Sequence, residues 1–324
     1  MRLRGAGLLV AWLAVAAAAF GLDCPSLRLL PEERSDRLVA EGLVRKGRPR
    51  DGTNRRDRLR GLLSRPASGS EILVTVGSET QRLVLDERGA FRAVFSRPMG
   101  TGTISVSVAD GAAGGAELRC MRQVLPATAS LLVVSDVDDT ILVSQVTKRL
   151  NLVWNSLLRS LPGRQPVAGT PEIYRNIYES TGGTGFFVYL SASPAALERF
   201  IGSFLACQGF PAGLLITGDG ISGTQHQTVA HKSAWLERLS ELFRGAPMLL
   251  VGDSGERDPE IYLAFAGRRL APVKGIVIRL IEGFDAERET RIRREAAANG
   301  VPLLLWREPS ELRAGLASVG VRIR

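Results

Sequence analysis

Two kinds of hydrophobic pattern divide the chain near Pro126. Between residues 71 and 122, short runs alternate apolar and polar positions, as in Phe91-Arg92-Ala93-Val94-Phe95, and turn-forming residues separate them. Alternation with a period of two predicts half-buried antiparallel strands. From residue 131 onward, continuous apolar runs alternate with segments of helical periodicity, which predicts buried parallel strands connected by helices. We therefore expect a small antiparallel β-sandwich at 67–125, followed by an α/β domain at 128–324.

The α/β pattern contains one long connection. Residues 143–184 separate its first two predicted strands and contain two segments of helical character, 147–161 and one beginning at Thr170-Pro171. Such an insertion fits a small helical cap over a site, and an ordinary crossover connection with an extra helix fits equally well. The predicted strands of the whole chain are 71–76, 81–85, 90–95, 103–109, 117–122, 131–135, 185–190, 213–217, 248–251, 275–279 and 302–306.

The N-terminus has the pattern of an export signal. Arg2 and Arg4 precede an uncharged apolar run from Leu8 to Phe20, which ends in the small residues Ala16–Ala19. We expect residues 1–22 to form a signal peptide and the mature protein to be exported, as a periplasmic or secreted protein. An uncleaved membrane anchor is the alternative, because the neighbouring uncharged residues bring the run close to the roughly 20 needed to span a bilayer.

Charge and cysteine content narrow the kinds of partner and of binding site that the chain can have. The net charge is +9, and much of the excess lies in 45–65, where Arg55, Arg56, Arg58 and Arg60 stand among Gly and Asn. We expect 23–66 to be a basic linker or N-terminal segment, which suits an anionic membrane surface better than nucleic acid, since it has no aromatic residues to stack on bases. With three cysteines and two histidines, a disulfide framework or a zinc site is not expected, although a Cys24–Cys120 bridge stays open.

Acidic residues follow two of the predicted strands directly. Asp136, Asp138 and Asp139 come after 131–135, and Asp253 and Asp258 come after 248–251. The carboxyl ends of parallel strands share one edge of the sheet, where ligands bind. Carboxylates gathered there repel one another unless a cation lies between them, so a divalent metal ion is the expected partner. A calcium loop of the EF-hand type is not expected, because its required Gly and Glu are missing.

Residues that suit a phosphate also follow two further predicted strands, either directly or at the start of the next helix. Ser191 and Ser193 follow the strand 185–190, and we expect Ser193 to cap a helix that begins at Pro194. Lys232 stands where we expect the helix after the third strand to begin, a poor place for a cation because of the helix dipole. This indicates a lysine placed for function, although an exposed surface lysine is the simpler interpretation of this residue alone.

Four motifs now stand in order: Asp136-Val137-Asp138-Asp139-Thr140, Ser191, Lys232, and Asp253 with Asp258. Together they resemble the haloacid dehalogenase-like phosphatases. The neighbourhoods Tyr189-Leu190-Ser191-Ala192-Ser193-Pro194 and Gly252 to Tyr262 are similar to the actin-patch-protein type of magnesium-dependent phosphatidate phosphatases and their bacterial relatives. The resemblance covers about 128–282 and implies a Rossmannoid parallel sheet with the cap-like insertion at 143–184.

The resemblance also implies roles. Asp136 would be the nucleophile, Asp138 the acid and base, and Lys232 the cation that neutralises the phosphate and the attacking carboxylate. Mg²⁺ would be bound by Asp136, by Asp138 through its backbone carbonyl, by Asp253 and by Asp258. Ser191 and Thr140 would bind the substrate phosphate. No role follows for Asp139.

The expected function is hydrolysis of a phosphate monoester through an aspartyl phosphate, with phosphatidate converted to diacylglycerol at an anionic membrane surface. A phosphatase for soluble phosphomonoesters or for nucleic-acid ends is the alternative within the same class. A non-catalytic protein that binds anionic lipid is the alternative from another class. The export signal does not fit a cytosolic lipid enzyme, so the physiological substrate stays open, as does the oligomeric state.

Overall fold

A computed structural model describes residues 22–32, 37–47, 64–96, 100–109, 117–126, 128–142, 165–218 and 224–323. These residues form two compact units. The first contains the described residues up to 126 together with 194–200, and the second contains those of 128–193 and 201–323. The predicted signal peptide, the arginines at 55–60 and the predicted helix 147–161 lie outside the described residues. Among the helices that are described, none is long and apolar enough to cross a bilayer.

The first unit consists of two antiparallel sheets. One has the strand order β1-β2-β5 and the other has the order β4-β3-β6-β7. Alternate residues face its core, among them Ile72, Val74 and Val76 of β3, all fully buried. The prediction of short antiparallel strands in 71–122 is confirmed. The strands are β1 (Leu22–Pro31), β2 (Leu38–Lys46), β3 (Glu71–Val76), β4 (Glu79–Val84), β5 (Ala90–Phe95), β6 (Gly100–Val108) and β7 (Glu117–Leu125).

The expectation of a linker at 23–66 is wrong for its first half. Strands β1 and β2 pair with each other and β2 pairs with β5, so they belong to the β unit. Both strands are buried along nearly their whole length, and such strands lack the alternation that reveals a half-buried strand. The two strands also place charged residues opposite each other: the buried Arg28 lies opposite the half-buried Glu41, with 3.9 Å between Nε and Oε1. Cys24 is a buried free thiol, and the side chain of Cys120, its suggested partner, lies outside the described part of the chain.

The second unit is an α/β fold around a six-stranded parallel sheet. Its strand order is β10-β9-β8-β11-β12-β13, and the pairs β8–β9, β8–β11, β11–β12 and β12–β13 are parallel. The elements are β8 (Leu132–Ser135), α1 (Thr170–Ser180), β9 (Phe186–Pro194), α2 (Glu198–Cys207), β10 (Gly213–Gly218), α3 (Gln225–Leu242), β11 (Met248–Asp253), α4 (Asp258–Gly267), β12 (Val273–Arg279), α5 (Ala286–Asn299), β13 (Leu303–Trp306) and α6 (Pro309–Gly315). The predicted α/β domain with a parallel sheet is confirmed.

Helix α1 lies against the sheet, which corrects the expectation of a cap for the described part of the insertion. Its Tyr174 is buried and packs against Phe187 of β9 and Phe210, with ring centroids 5.8 and 5.4 Å apart. The Tyr174 hydroxyl also bonds Ser135 at the end of β8, with 2.8 Å between the oxygens. A helix that connects two parallel strands along the chain and packs its apolar face on their sheet is a crossover connection.

Candidate active site

The candidate site lies at the carboxyl ends of β8 and β11. These strands pair in parallel from Leu132 with Met248 to Ser135 with Val251, and the backbone N–H of Asp136 donates to the carbonyl of Val251 at 2.8 Å. The strand order reverses here, because β9 follows on one side of β8 and β11 lies on the other. Such a switch point opens the crevice in which α/β proteins bind ligands.

Three carboxylates meet in this crevice. Asp136, Asp253 and Asp258 are all buried, and each offers one oxygen that lies within 4.8 Å of the other two. Asp136 directly follows β8, Asp253 is the last residue of β11, and Asp258 is the first residue of α4. The sequence therefore predicted correctly that the strand ends bring these acids together.

Lys232 is the positive charge among these acids. Its side chain is fully buried, and Nζ lies 2.8 Å from Oδ1 of Asp136, 2.5 Å from Oδ1 of Asp258 and 3.3 Å from Oε2 of Glu256. The expected position at a helix start is wrong, since α3 begins at Gln225 after a capping box made by Thr224. Lys232 therefore stands two turns inside the helix, and its burial among carboxylates rather than the helix dipole indicates a function.

The loop after β11 holds its acids by backbone contacts. The N–H of Gly255 donates to Oδ1 of Asp253 at 2.5 Å, and the N–H of Asp253 donates to Oδ2 of Asp258 at 3.4 Å. Gly252 is required by the close approach of Asp258, because a Cβ at this position would lie 2.4 Å from Oδ2 of Asp258. Asp258 is the first residue of α4. Its carboxylate contacts Lys232 and does not cap the helix.

Asp138 lies beside two serine hydroxyls. Ser191 and Ser193 both donate to its Oδ2 at 3.1 Å, and the N–H of Ser193 donates to the hydroxyl of Ser191 at 3.0 Å. The expected helix cap at Ser193 is wrong, because β9 continues to Pro194 and α2 begins only at Glu198. Sequence reasoning therefore gave Ser191 a specific role in the site but assigned Ser193 to a helix cap, whereas both hydroxyls contact Asp138.

Two carboxylate oxygens of the site have no partner among the described residues. Oδ2 of Asp136 and Oδ1 of Asp138 are buried and accept no hydrogen bond there. Buried carboxylate oxygens without partners are costly, and the ammonium of Lys232 contacts three of the five acidic side chains gathered here. Carboxylate oxygens are hard ligands, the kind that Mg²⁺ prefers, so the residues present suit the predicted divalent cation.

Burial controls the protonation of these groups. Burial raises the pKa of Asp136 and Asp253 well above the ordinary value, and that of Asp258 also rises, although Lys232 opposes each shift. Burial and the charge of Glu256 raise the pKa of Asp138 to about 6. Burial alone lowers the pKa of Lys232, but its three carboxylate neighbours reverse this and raise it. Lys232 is therefore charged at neutral pH.

Thr140 and Asp139 are the remaining polar residues of the first motif. Thr140 is 1% exposed and its hydroxyl donates to Oδ2 of Asp253 at 3.4 Å, so it contacts a candidate metal ligand, and its role in substrate binding stays a prediction. Asp139 adopts a left-handed backbone with φ of 55°, and its carbonyl accepts a hydrogen bond from Arg279 at 2.6 Å. Glu256, which sequence reasoning overlooked, stands two residues before Asp258 in an acidic loop, and that neighbourhood was the available signal.

Comparison with known proteins gives one family. Residues 131–280 match the family model described as the catalytic domain of the phosphatidate phosphatase APP1, and this range includes every residue of the candidate site named above. No curated protein matches the chain.

Solved structures give only remote likenesses. A carbohydrate acetylesterase from Xanthomonas citri has 12% identity, with 86% of this chain and 76% of that chain covered and a TM-score of 0.27. A β-glucuronidase from Bacteroides uniformis has 14% identity, 81% and 34% coverage and a TM-score of 0.27, so this chain spans about a third of its length. Scores this low establish neither a shared fold nor a shared activity. The family model is more specific: residues 131–280 match a catalytic domain described as that of the phosphatidate phosphatase APP1, and a domain of this type is a phosphoric monoester hydrolase.

Proposed function

We propose that this protein is a magnesium-dependent phosphatase of the haloacid dehalogenase-like type that converts phosphatidate to diacylglycerol through an aspartyl phosphate. One observation carries the proposal: Asp136, Asp253 and Asp258 converge around the buried Lys232 where the strand order of the parallel sheet reverses. The family match at 131–280 supports the substrate class.

The metal would be held by the carboxylates of Asp136, Asp253 and Asp258, and by the backbone carbonyl of Asp138 as the sequence resemblance implies. Its chemistry is to offset the repulsion between a dianionic phosphate monoester and the attacking carboxylate. Thr140 and Gly255 orient Asp253 for this task through their hydrogen bonds to its two oxygens.

Asp136 is the nucleophile. Its Oδ1 contacts Lys232, and its carboxylate lies at the switch point, directly after the carboxyl end of β8. A carboxylate oxygen attacks phosphorus, the bond from phosphorus to the alkoxide oxygen of the substrate breaks, and the phosphoryl group stays on Asp136. Water then attacks phosphorus, and the phosphorus–oxygen bond to Asp136 breaks to release phosphate.

Asp138 moves the protons. Since Oδ2 accepts hydrogen bonds from Ser191 and Ser193, Oδ1 is the oxygen that carries the proton. That proton passes to the departing alkoxide, and Asp138 then takes a proton from the attacking water. A pKa of about 6, raised by burial, suits an acid that must also act as a base near neutral pH.

Substrate and location complete the proposal. The excess of positive charge, +9 over the chain, favours peripheral binding at an anionic membrane surface, where phosphatidate presents a phosphate monoester. The signal-like pattern of residues 1–22 supports export, with action at the periplasmic or external side. Mass spectrometry of the mature protein should then find an N-terminus near Phe20, whereas an intact Met1 in membrane fractions would support an uncleaved anchor.

The decisive experiment measures phosphate release with Mg²⁺ from phosphatidate in mixed vesicles, a soluble phosphomonoester and a phosphorylated DNA end. We expect phosphatidate to be hydrolysed fastest and EDTA to stop the reaction. Faster turnover of either other substrate would reassign the substrate class. Vesicle binding without phosphate release from any substrate would instead support a non-catalytic lipid-binding protein.

A further inference from the structure

Arg288 is bonded to the loop that carries two of the three candidate metal ligands. Its guanidinium donates to the carbonyl of Ser254 at 2.7 Å and to the carbonyl of Glu256 at 2.6 Å. These carbonyls belong to residues 254–257, which connect Asp253 at the end of β11 with Asp258 at the start of α4 and form neither helix nor strand. The shape of this short loop therefore determines where both carboxylates stand.

The same guanidinium is also fixed by α4. Nε and one terminal nitrogen of Arg288 donate to the two oxygens of Glu260 at 2.8 and 2.7 Å. Hydrogen bonds from Arg288 hold the pKa of Glu260 below its ordinary value, although partial burial acts in the opposite direction. The planar fork of arginine provides four hydrogen bonds here, to two carbonyls and one carboxylate, and a lysine ammonium cannot reproduce that geometry.

The base of the Arg288 side chain is equally well anchored. Its backbone N–H donates to Oδ2 of Asp285, the N-cap of α5, at 3.0 Å. Its guanidinium lies over the ring of Phe284, 5.2 Å from the centroid. The first turn of α5 thus presents Arg288 to the loop in a fixed orientation.

Resting on the proposed function, we propose that Arg288 is a positioning residue for the metal site: it holds the loop 254–257 so that Asp253 and Asp258 face one cation. Residues that orient metal ligands typically change metal affinity by tenfold to a hundredfold when they are replaced. The four hydrogen bonds of the Arg288 guanidinium go to Glu260 and to the carbonyls of Ser254 and Glu256, so its effect on the metal ligands passes through the loop.

Arg291 is a matched control. It lies on the same helix and approaches the same acid, with 3.8 Å to Oε1 of Glu260, but its side chain is 60% exposed. Arg291→Gln removes the same charge as Arg288→Gln and leaves the bonds from Arg288 to the loop carbonyls in place. Any difference between the two variants therefore reports on the hydrogen bonds of Arg288, to the loop carbonyls and to Glu260, rather than on net charge.

The test measures Mg²⁺ binding by calorimetry and the half-saturating Mg²⁺ concentration for phosphate release. We expect Arg288→Gln to weaken Mg²⁺ binding by about tenfold or more, with a smaller loss of turnover at saturating Mg²⁺, and Arg291→Gln to match the wild type. If Arg288→Gln does not fold, Arg288→Lys, which keeps the charge without the fork, should show the same direction of change.

The outcomes separate this inference from the proposed function. Unchanged Mg²⁺ affinity in a folded Arg288 variant, with an active wild type, would overturn the positioning role and leave the phosphatase intact. An equal loss in Arg291→Gln would also overturn it, because charge alone would explain the effect. A wild type that neither binds Mg²⁺ nor releases phosphate would instead refute the proposed function.

Discussion

Nζ of Lys232 lies 2.5 Å from Oδ1 of Asp258, and neither side chain is exposed to solvent at all. The same ammonium contacts Asp136 and Glu256, so one buried cation is shared by three carboxylates. Removing one partner of a buried ion pair leaves a charge without compensation, which costs more than the pair contributes when it is complete. Lys232 is therefore as important for the stability of the site as for its chemistry.

We expect Lys232→Met to lower the free energy of unfolding by about 3–5 kcal/mol at pH 8. The loss should be smaller at pH 5, because burial raises the pKa of Asp136 and Asp258 and protonation then reduces their negative charge. Guanidinium-induced unfolding at both pH values measures this. Arg268→Gln, which breaks an exposed ion pair with Glu237, is the control and should cost less than about 1 kcal/mol. Equal losses in the two variants would contradict the shared-cation interpretation.

Asp136 and Asp138 should separate the two halves of the reaction. Asp136→Asn should abolish turnover without unfolding the protein, because it removes the nucleophile and leaves the volume unchanged. Asp138→Asn should let some phosphoenzyme form from a substrate with a good leaving group, but should block its hydrolysis. Rapid-quench detection of acid-stable protein phosphate distinguishes the variants. Full activity of Asp136→Asn would exclude this residue as the nucleophile.

The site could be predicted from sequence where an apolar run that forms a buried strand is followed directly by residues with catalytic or metal-binding side chains. The apolar runs before Asp136 and Asp253 predict parallel strands, and the shared edge of a parallel sheet brings their carboxylates together. The start of α3 was misplaced because Thr224-Gln225-His226-Gln227 is polar, although it fits the sequence pattern of a capping box.

Other features depend on three-dimensional contacts that no local pattern encodes. Ser193 precedes a proline and fits a helix cap, yet the strand continues past it and its hydroxyl reaches Asp138. Strands β1 and β2 are buried on both faces, so neither shows the alternation from which the other strands of the β unit were predicted. The bonds from Arg288 to the loop 254–257 span more than 30 residues and leave no periodic signal.

The stability of the metal-free protein should depend on the protonation of Asp138. Burial raises the pKa of this carboxyl from 3.8 to about 6 in the folded protein. Between these values the folded state binds the proton and the unfolded state has lost it, so the free energy of unfolding falls as pH rises from about 4 to 6. The contribution is up to about 3 kcal/mol. Urea unfolding in EDTA should show this slope in the wild type and a weaker one in Asp138→Asn, whereas identical slopes would contradict it.

Mg²⁺ should stabilise the protein more at pH 8 than at pH 6. Burial raises the pKa of Asp136 and Asp253, so a cation must displace protons at the lower pH before these oxygens can bind it. Melting temperature with and without Mg²⁺, at constant ionic strength, measures the difference. The gain should disappear in Asp253→Asn. A gain of the same size at both pH values, or one that survives in that variant, would mean that Mg²⁺ binds elsewhere.

Gly252 should tolerate no side chain, because Asp258 occupies the space where a Cβ would stand. The added carbon would lie 2.4 Å from Oδ2 and 2.7 Å from Cβ of Asp258, so the start of α4 must shift and carry this carboxylate away from Lys232. We expect Gly252→Ala to reduce phosphate release by at least about tenfold, since misplacement of a site group by about 1 Å costs up to a hundredfold.

The control for Gly252 is another glycine in the same unit. Gly202 lies inside α2, where the nearest atom to an added Cβ is Cδ2 of Leu215 at 3.8 Å. Gly202→Ala should therefore keep full activity and stabilise the protein by roughly 0.5–1 kcal/mol, because alanine loses less conformational freedom in a helix than glycine does. Phosphate release and thermal unfolding of both variants test the pair. Normal activity in Gly252→Ala would show that the contact between Gly252 and Asp258 does not fix the position of the carboxylate.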